Sequence, residues 1–164
     1  MSFGLEGKTF LVTGVANRKS VAWHVVKRLR DEGARSILCV HTWERAEQVQ
    51  KLAGSDDILV CDVREPDQIE KLAEHLTKAG TRLDGLVHSI AFANYSEGAQ
   101  PFHQTARADF LDAIDVSCFS LVALSNALRE IFQPQASVVT ISISTTSLAA
   151  ENYGYMAPVK AALD

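Results

Sequence analysis

Short apolar runs alternate along this chain with longer segments in which apolar residues recur three and four positions apart, a pattern that predicts strands followed by helices. Residues 9–13 form the first predicted strand, and a helix is expected from about Ser20 to Glu32, where Gly33 ends it. Residues 36–40 give the second strand, 44–52 the second helix, broken by Gly54 and Ser55, and 58–61 the third strand. Pro66 suits a first helical turn; Ile69, Leu72, Ala73 and Leu76 mark the apolar face that follows, and Gly80 closes it. A fourth strand is predicted at 85–90, a loop through 94–101, a long helical region over 108–132 and a fifth strand at 137–143. The last helix is expected to open near Tyr153 and to be still running at Asp164.

Strands that alternate with helices pair in parallel through right-handed crossovers. The predicted fold is therefore α/β, a doubly wound parallel sheet in a three-layer αβα arrangement. Without an internal repeat, linker or low-complexity segment, residues 1–164 read as one domain.

Composition narrows the function classes. The 164 residues carry 16 Lys and Arg against 20 Asp and Glu, a net charge of −4, which argues against a nucleic-acid binder that must neutralise phosphates. No apolar run of the roughly 18 residues needed for a membrane span is expected, and residues 1–8 lack the basic and apolar segments of a leader. Cys39, Cys61 and Cys118 form no CxxC pair and mostly sit in apolar surroundings. They read as buried reduced thiols in a cytoplasmic protein.

In an open parallel sheet, ligands bind beyond the carboxyl ends of the strands. After the first strand, Gly14 permits close backbone approach, and the helix start at Ser20 and Val21 offers free N–H groups to a pyrophosphate. Ser20 suits both a helix cap and a phosphate donor. Asp62 ends the third strand with Val63 beside it; its carboxylate can accept from an adenine amino group or cap a turn. Ser89, Ile90 and Ala91 follow His88 and make a small, largely apolar wall for a flat group, while His88 itself reads as a structural histidine. Tyr153 and Lys160 lie seven apart, so on one helix they share a face, whereas Tyr155 points away from Lys160. A phenol can donate to an oxygen gaining negative charge, and an ammonium nearby favours that role.

Together these residues resemble the short-chain dehydrogenase/reductase superfamily, with its Rossmann-like fold, and within it the type I enoyl-acyl-carrier-protein reductases. The resemblance runs from Gly7 to Leu163. It rests on residues 11–16 with Ser20 six after Gly14, on Cys61-Asp62-Val63, on the His88 to Ala93 stretch His-Ser-Ile-Ala-Phe-Ala, and on Asn152-Tyr153 through Met156 to Lys160. Most of the superfamily has Asn-Asn-Ala-Gly at the His88 stretch, and a tyrosine where Met156 stands here.

The resemblance implies reduction of a trans-2-enoyl thioester on acyl carrier protein by NADH, in fatty-acid synthesis and commonly by a homotetramer. Tyr153 would stabilise the enolate oxygen, and Lys160 would hold the nicotinamide ribose. Gly14, Val15, Ser20 and Val21 would line the pyrophosphate region, Asp62 and Val63 would bracket adenine, and Ser89, Ile90 and Ala91 would border the ribose and nicotinamide. Ala93 would touch substrate. The second strand ends at His41, which neither repels nor firmly pairs with a ribose phosphate, so it is the resemblance that implies NADH, with Arg45 the nearest phosphate partner. No metal site is expected.

Two departures stand out. Ile143 occupies the position ten before Tyr153 where enoyl reductases typically carry another tyrosine, and isoleucine donates no hydrogen bond. The family also continues through further strands and a substrate-covering segment, so residues 1–164 by themselves are expected to be inactive. Two other readings stay open: a related reductase acting on a carbonyl, and a nucleotide-binding paralogue without turnover.

Overall fold

The computed structural model describes residues 3–54, 57–95, 98, 101–143 and 153–164. The expected helix breaker Ser55, the loop positions 96–97 and 99–100, and Asn152 lie outside them. Five strands, β1 (Thr9–Thr13), β2 (Arg35–Val40), β3 (Asp57–Val60), β4 (Leu83–His88) and β5 (Phe132–Thr140), form one sheet in the order β3-β2-β1-β4-β5. Every pairing is parallel. The intervening helices are α1 (Val21–Asp31), α2 (Trp43–Ala53), α3 (Pro66–Lys78), α4 (Arg107–Ile114), α5 (Ser120–Leu128) and α6 (Met156–Leu163).

Alternation along the strands divides the buried side chains into two cores. Leu11, Ile37 and Leu86 point to one face, where Ile69, Leu72 and Leu76 of α3 and Leu124 and Leu128 of α5 cover them. Val12, Leu38 and Val87 point to the other, against Ala22, Val26 and Leu29 of α1 and Val49 of α2. The runs of apolar residues in β1 and β2 are thus explained by burial on both faces.

Boundaries differ from expectation where polar sequence joins a strand. β5 begins at Phe132 rather than 137 because Phe132 already pairs with Leu83, and the register shifts before Ser137 pairs with Gly85. Pro134, which has no N–H for the ladder, falls in that irregular stretch. α6 begins at Met156, not near Tyr153: Gly154 has φ of 50°, a left-handed turn that diverts the chain before the first regular helical residue.

The region expected as one long helix is helical from Arg107 to Ile131, but α4 and α5 are separated by a π-helical stretch, Asp115–Phe119. Contrary to the expectation from apolar runs, these 25 residues are long and apolar enough, by length and composition alone, to cross a membrane. Here Val116, Ser117, Ser120, Leu124 and Leu128 are buried on one side, as in a core helix, while Leu111, Phe119 and Val122 are exposed.

Leu38 and Leu86 are fully buried in different cores. Replacing either with alanine should cost about 2–5 kcal/mol. Because the sheet separates them, the double variant should lose the sum of the single losses within about 0.5 kcal/mol; urea unfolding measures this, and strong non-additivity would contradict two independent cores.

Candidate cofactor site

The crevice opens where the chain leaves β1 for β2 on one side while β4 flanks β1 on the other. Thr13 joins the two sides: its hydroxyl donates to the Val87 carbonyl at 3.2 Å and accepts from the Ser89 N–H at 3.2 Å. Immediately beyond it, a side chain at Gly14 would put its Cβ 1.9 Å from the Ser89 carbonyl oxygen, and φ is 81°. Only glycine fits there.

A cleft of about 210 Å³ lies at this place. Of the residues expected to bind cofactor, Gly14, Val15, His41, Asp62, Val63, Ser89, Ile90 and Ala91 line it. Ser20 and Val21, at the start of α1, stand outside the lining, as does Lys160 on α6. Ser20 occupies the N-cap position without capping the helix through its side chain; its hydroxyl donates to Asn17 O at 2.7 Å and accepts from Ala16 N at 3.4 Å. These two bonds brace the loop before α1. The first turn of α1 contains no acidic residue, so the positive helix end is left uncompensated.

Asp62 realises the turn-capping role, accepting from Arg64 N at 3.1 Å, while its own N–H donates to Gln68 Oε1 at 2.9 Å. Ala93 packs with Tyr153 against the small cluster of Ala113, Tyr155, Met156 and Val159.

Several lining residues were given no cofactor-binding role in the sequence: Thr13, Ala16, Cys39, Val40, Cys61, Arg64, Phe92 and Val116. Arg64 reaches across to α4, where Nε and Nη2 meet the two carboxylate oxygens of Asp112 at 2.8 and 3.3 Å. Its guanidinium lies 4.4 Å from the centre of the Phe92 ring. Asp112 raises the Arg64 pKa further, so this cation is fixed at the cleft. Phe92 is held in turn by Ser117, whose hydroxyl accepts from Phe92 N at 2.8 Å and donates to Phe92 O at 3.1 Å. Ser117 comes from the π-helical stretch, a local widening that no periodicity in the sequence announced. Arg45 donates to Ala16 O at 3.3 Å and to Gln48 Oε1 at 2.8 Å, which places a cation beside the loop after β1.

Lys160 is 2% exposed, and its ammonium donates to Ile90 O at 3.1 Å and Ile141 O at 3.0 Å. Burial lowers its pKa, opposed by Asp164 and Cys118. Tyr153 lies partly buried in the turn before α6, so helical spacing does not relate it to Lys160 as expected; its carbonyl accepts from Tyr95 OH at 3.3 Å. Tyr155 points elsewhere, donating to Asn94 O at 3.0 Å and meeting Phe110 edge-on.

His88 is fully buried, with Nε2 2.8 Å from Ser120 Oγ and Nδ1 2.9 Å from Thr140 Oγ1. Ser120 donates its own proton to Val116 O at 2.6 Å, so Nε2 donates to Ser120, while the single Thr140 hydroxyl proton is shared between Nδ1 at 2.9 Å and the His88 carbonyl oxygen at 3.3 Å. Burial and the neighbouring Lys160 lower its pKa to about 4.

The donors and acceptors suit a dinucleotide. Gly14 brings backbone to the crevice, the apolar walls Val15, Val63 and Ile90 suit a flat base, and Lys160 supplies an ammonium behind Ile90. Ser142 adds a buried hydroxyl that has no partner among the described residues, next to the Ile141 carbonyl that holds Lys160. No group of His, Cys, Asp or Glu suited to a metal occurs among the described residues.

The strand order and this crevice define a doubly wound α/β protein with a cleft at its topological switch point. A family model described as Enoyl-(Acyl carrier protein) reductase matches residues 14–164. The NADH enoyl-[acyl-carrier-protein] reductase FabI of Enterococcus faecalis is 37% identical over 161 residues, 98% of this chain and 64% of the relative. FabI of Bacillus subtilis is 37% identical over 170 residues, covering 100% and 66%. Among solved structures, the Aquifex aeolicus enoyl-[acyl-carrier-protein] reductase (NADH) superposes with a TM-score of 0.91 at 35% identity, over 97% of this chain and 64% of that one. The Anaplasma phagocytophilum reductase, in complex with NAD, gives 0.92 at 27%, over 99% and 64%. The chain belongs to the enoyl-(acyl carrier protein) reductase family. It spans about 64% of the length of the relatives named first.

The low pKa of His88 has a calculable consequence. An unfolded histidine takes up its proton below about 6.5 and the folded one only near 4, so stability is lost as pH falls through that window. The contribution is of the order of 3 kcal/mol. His88→Asn should flatten the pH dependence of urea unfolding between pH 7 and 4 relative to the parent protein; an unchanged slope would show that His88 is not the group responsible.

Proposed function

We propose that the protein containing this chain reduces trans-2-enoyl thioesters of acyl carrier protein with NADH, in fatty-acid synthesis. The observation that carries the reading is the meeting, at one switch-point crevice, of the Gly14 turn and the Asp62-Val63 and Ser89-Ile90-Ala91 walls, with the Lys160 ammonium bonded to the Ile90 carbonyl of that lining. The names of the relatives supply the substrate and the cofactor.

When bound, reduced nicotinamide supplies a hydride for the β-carbon of the thioester. The chain's own part is positioning and charge stabilisation. Gly14, Val15, Ser20 and Val21 border the pyrophosphate, and His41, Asp62 and Val63 border the adenosine. Ser89, Ile90 and Ala91 face the nicotinamide side. Lys160, now bonded to the Ile90 and Ile141 carbonyls, would hold the ribose hydroxyls. Tyr153 donates to the thioester oxygen as negative charge grows on it, with Ala93 beside the acyl group; their shared packing cluster supports that pairing. A reducing cytoplasmic setting is supported by the three free cysteines.

In the full protein, Tyr153→Phe should lower crotonyl-thioester reduction by about 10²–10³ while leaving NADH affinity nearly intact, and Lys160→Ala should weaken both. Undiminished turnover in Tyr153→Phe would remove the tyrosine from the mechanism. Reduction of ketoacyl but not enoyl thioesters would replace the substrate class. Parallel titration with NADPH tests the cofactor, since Arg45 stands near the place of a ribose phosphate; tighter NADPH binding would overturn the NADH assignment.

A homotetramer is proposed on the exposed apolar side of the Arg107–Ile131 helix, where Leu111, Phe119 and Val122 have no cover among the described residues. Sedimentation of the full protein should give an assembly of twofold symmetry, and Phe119→Glu should dissociate it. A parent protein that stays monomeric at micromolar concentration would refute this.

A further inference from the structure

Lys160 finds its two carbonyl partners only if the ends of β4 and β5 stand at a fixed separation. The last paired residues of those strands are His88 and Thr140, and the partners Ile90 and Ile141 lie two residues and one residue further on. Beyond that rung, Ile141 N donates to His88 O at 2.9 Å. That backbone bond, with the longer contact of the Thr140 hydroxyl to the same carbonyl at 3.3 Å, is a weak restraint at a strand end. The ring of His88 adds two more, to Thr140 on β5 at 2.9 Å and to Ser120 on α5 at 2.8 Å.

We propose that His88 is a positioning residue for Lys160: its ring clamps the end of β4 to β5 and α5, so that the Ile90 and Ile141 carbonyls converge on the ammonium. Few side chains could do this. The Thr140 link sets the separation of the β4 and β5 ends and the Ser120 link orients the ring for it, and neutral imidazole can supply a donor and an acceptor in one rigid body. Asparagine is long enough for the Thr140 link, whereas glutamine places its amide nearer the Ser120 link. A ring that only filled space would need neither bond, but a buried ring nitrogen left without a partner is costly, which makes the network obligatory once the histidine is present.

The inference deepens the cofactor reading in one respect: that reading makes Lys160 the ribose ligand. The test therefore has one arm that involves no cofactor. In the full protein, acetylation of Lys160 by acetic anhydride, followed by peptide mass spectrometry, reports how well the ammonium is held and covered. Labelling should be slow in the parent and about tenfold faster in His88→Leu and in Thr140→Val. His88→Asn should restore protection to within about threefold, and His88→Gln should not. Thr140→Val nearly preserves shape and keeps the test decisive if His88→Leu does not fold. Unchanged labelling in folded Thr140→Val, or equal protection by Asn and Gln, would overturn the proposal.

The second arm is NADH titration by fluorescence. Lys160→Met and His88→Leu should each weaken binding about tenfold, and the double variant should bind no more weakly than Lys160→Met, because His88 acts through the lysine. Losses that multiply would give His88 a general structural role and sink the positioning claim. A parent protein that does not bind NADH would defeat the cofactor reading, and the labelling arm would still decide the role of His88.

Discussion

The site depends on how closely the chain leaving β1 can pass the chain leaving β4. Gly14 lies against the Ser89 carbonyl at a separation that excludes any Cβ, and the Thr13 hydroxyl spans Val87 and Ser89 just before that contact. A larger residue would force the two strand ends apart. The cleft floor, the Ser89-Ile90-Ala91 wall and the Ile90 carbonyl that holds Lys160 would then move together. One backbone approach therefore sets the geometry of groups that are 70 residues apart in sequence.

The order and type of the elements could be read because each core strand is apolar on both faces and each crossover helix carries a clear apolar stripe. Leu11 and Val12 serve opposite cores, which is why β1 shows no alternation yet reads unmistakably as a buried strand. β5 obscured its beginning for the opposite reason: Gln133, Pro134 and Gln135 sit in the shifted part of the ladder and resemble a loop. The start of α6 was hidden by Gly154, since a spacing of seven residues implies a shared helix face only when every intervening residue is helical.

Most of the cleft was legible for a topological reason. Strand ends in a parallel sheet converge on one edge, so Gly14, His41, Asp62 and Ser89 could be named from strand boundaries alone. What escaped depends on tertiary reach. Arg64 needs Asp112 from α4 to lie across the face of Phe92, and Ser117 meets the Phe92 backbone from a helix turn widened to π geometry. Neither relation leaves a local pattern. The bond by which the Ser20 hydroxyl closes the Asn17 turn likewise left no local pattern.

Two basic side chains, His88 and Lys160, are buried almost side by side, and their surroundings separate their charge states. Lys160 faces carbonyl oxygens, which can only accept, so its site suits an ammonium. His88 faces Ser120, whose oxygen accepts, and Thr140, whose hydroxyl can donate, so its site suits a neutral ring. Desolvation pushes both pKa values down, and that of His88 falls to about 4, which leaves its ring neutral at neutral pH, while the carbonyl acceptors around Lys160 suit its protonated form. In the proposed reaction this asymmetry matters for cofactor entry: ribose hydroxyls can replace the carbonyls as acceptors without any buried group gaining or losing a proton. Binding then requires only an exchange of hydrogen bonds at a charge the fold has already desolvated.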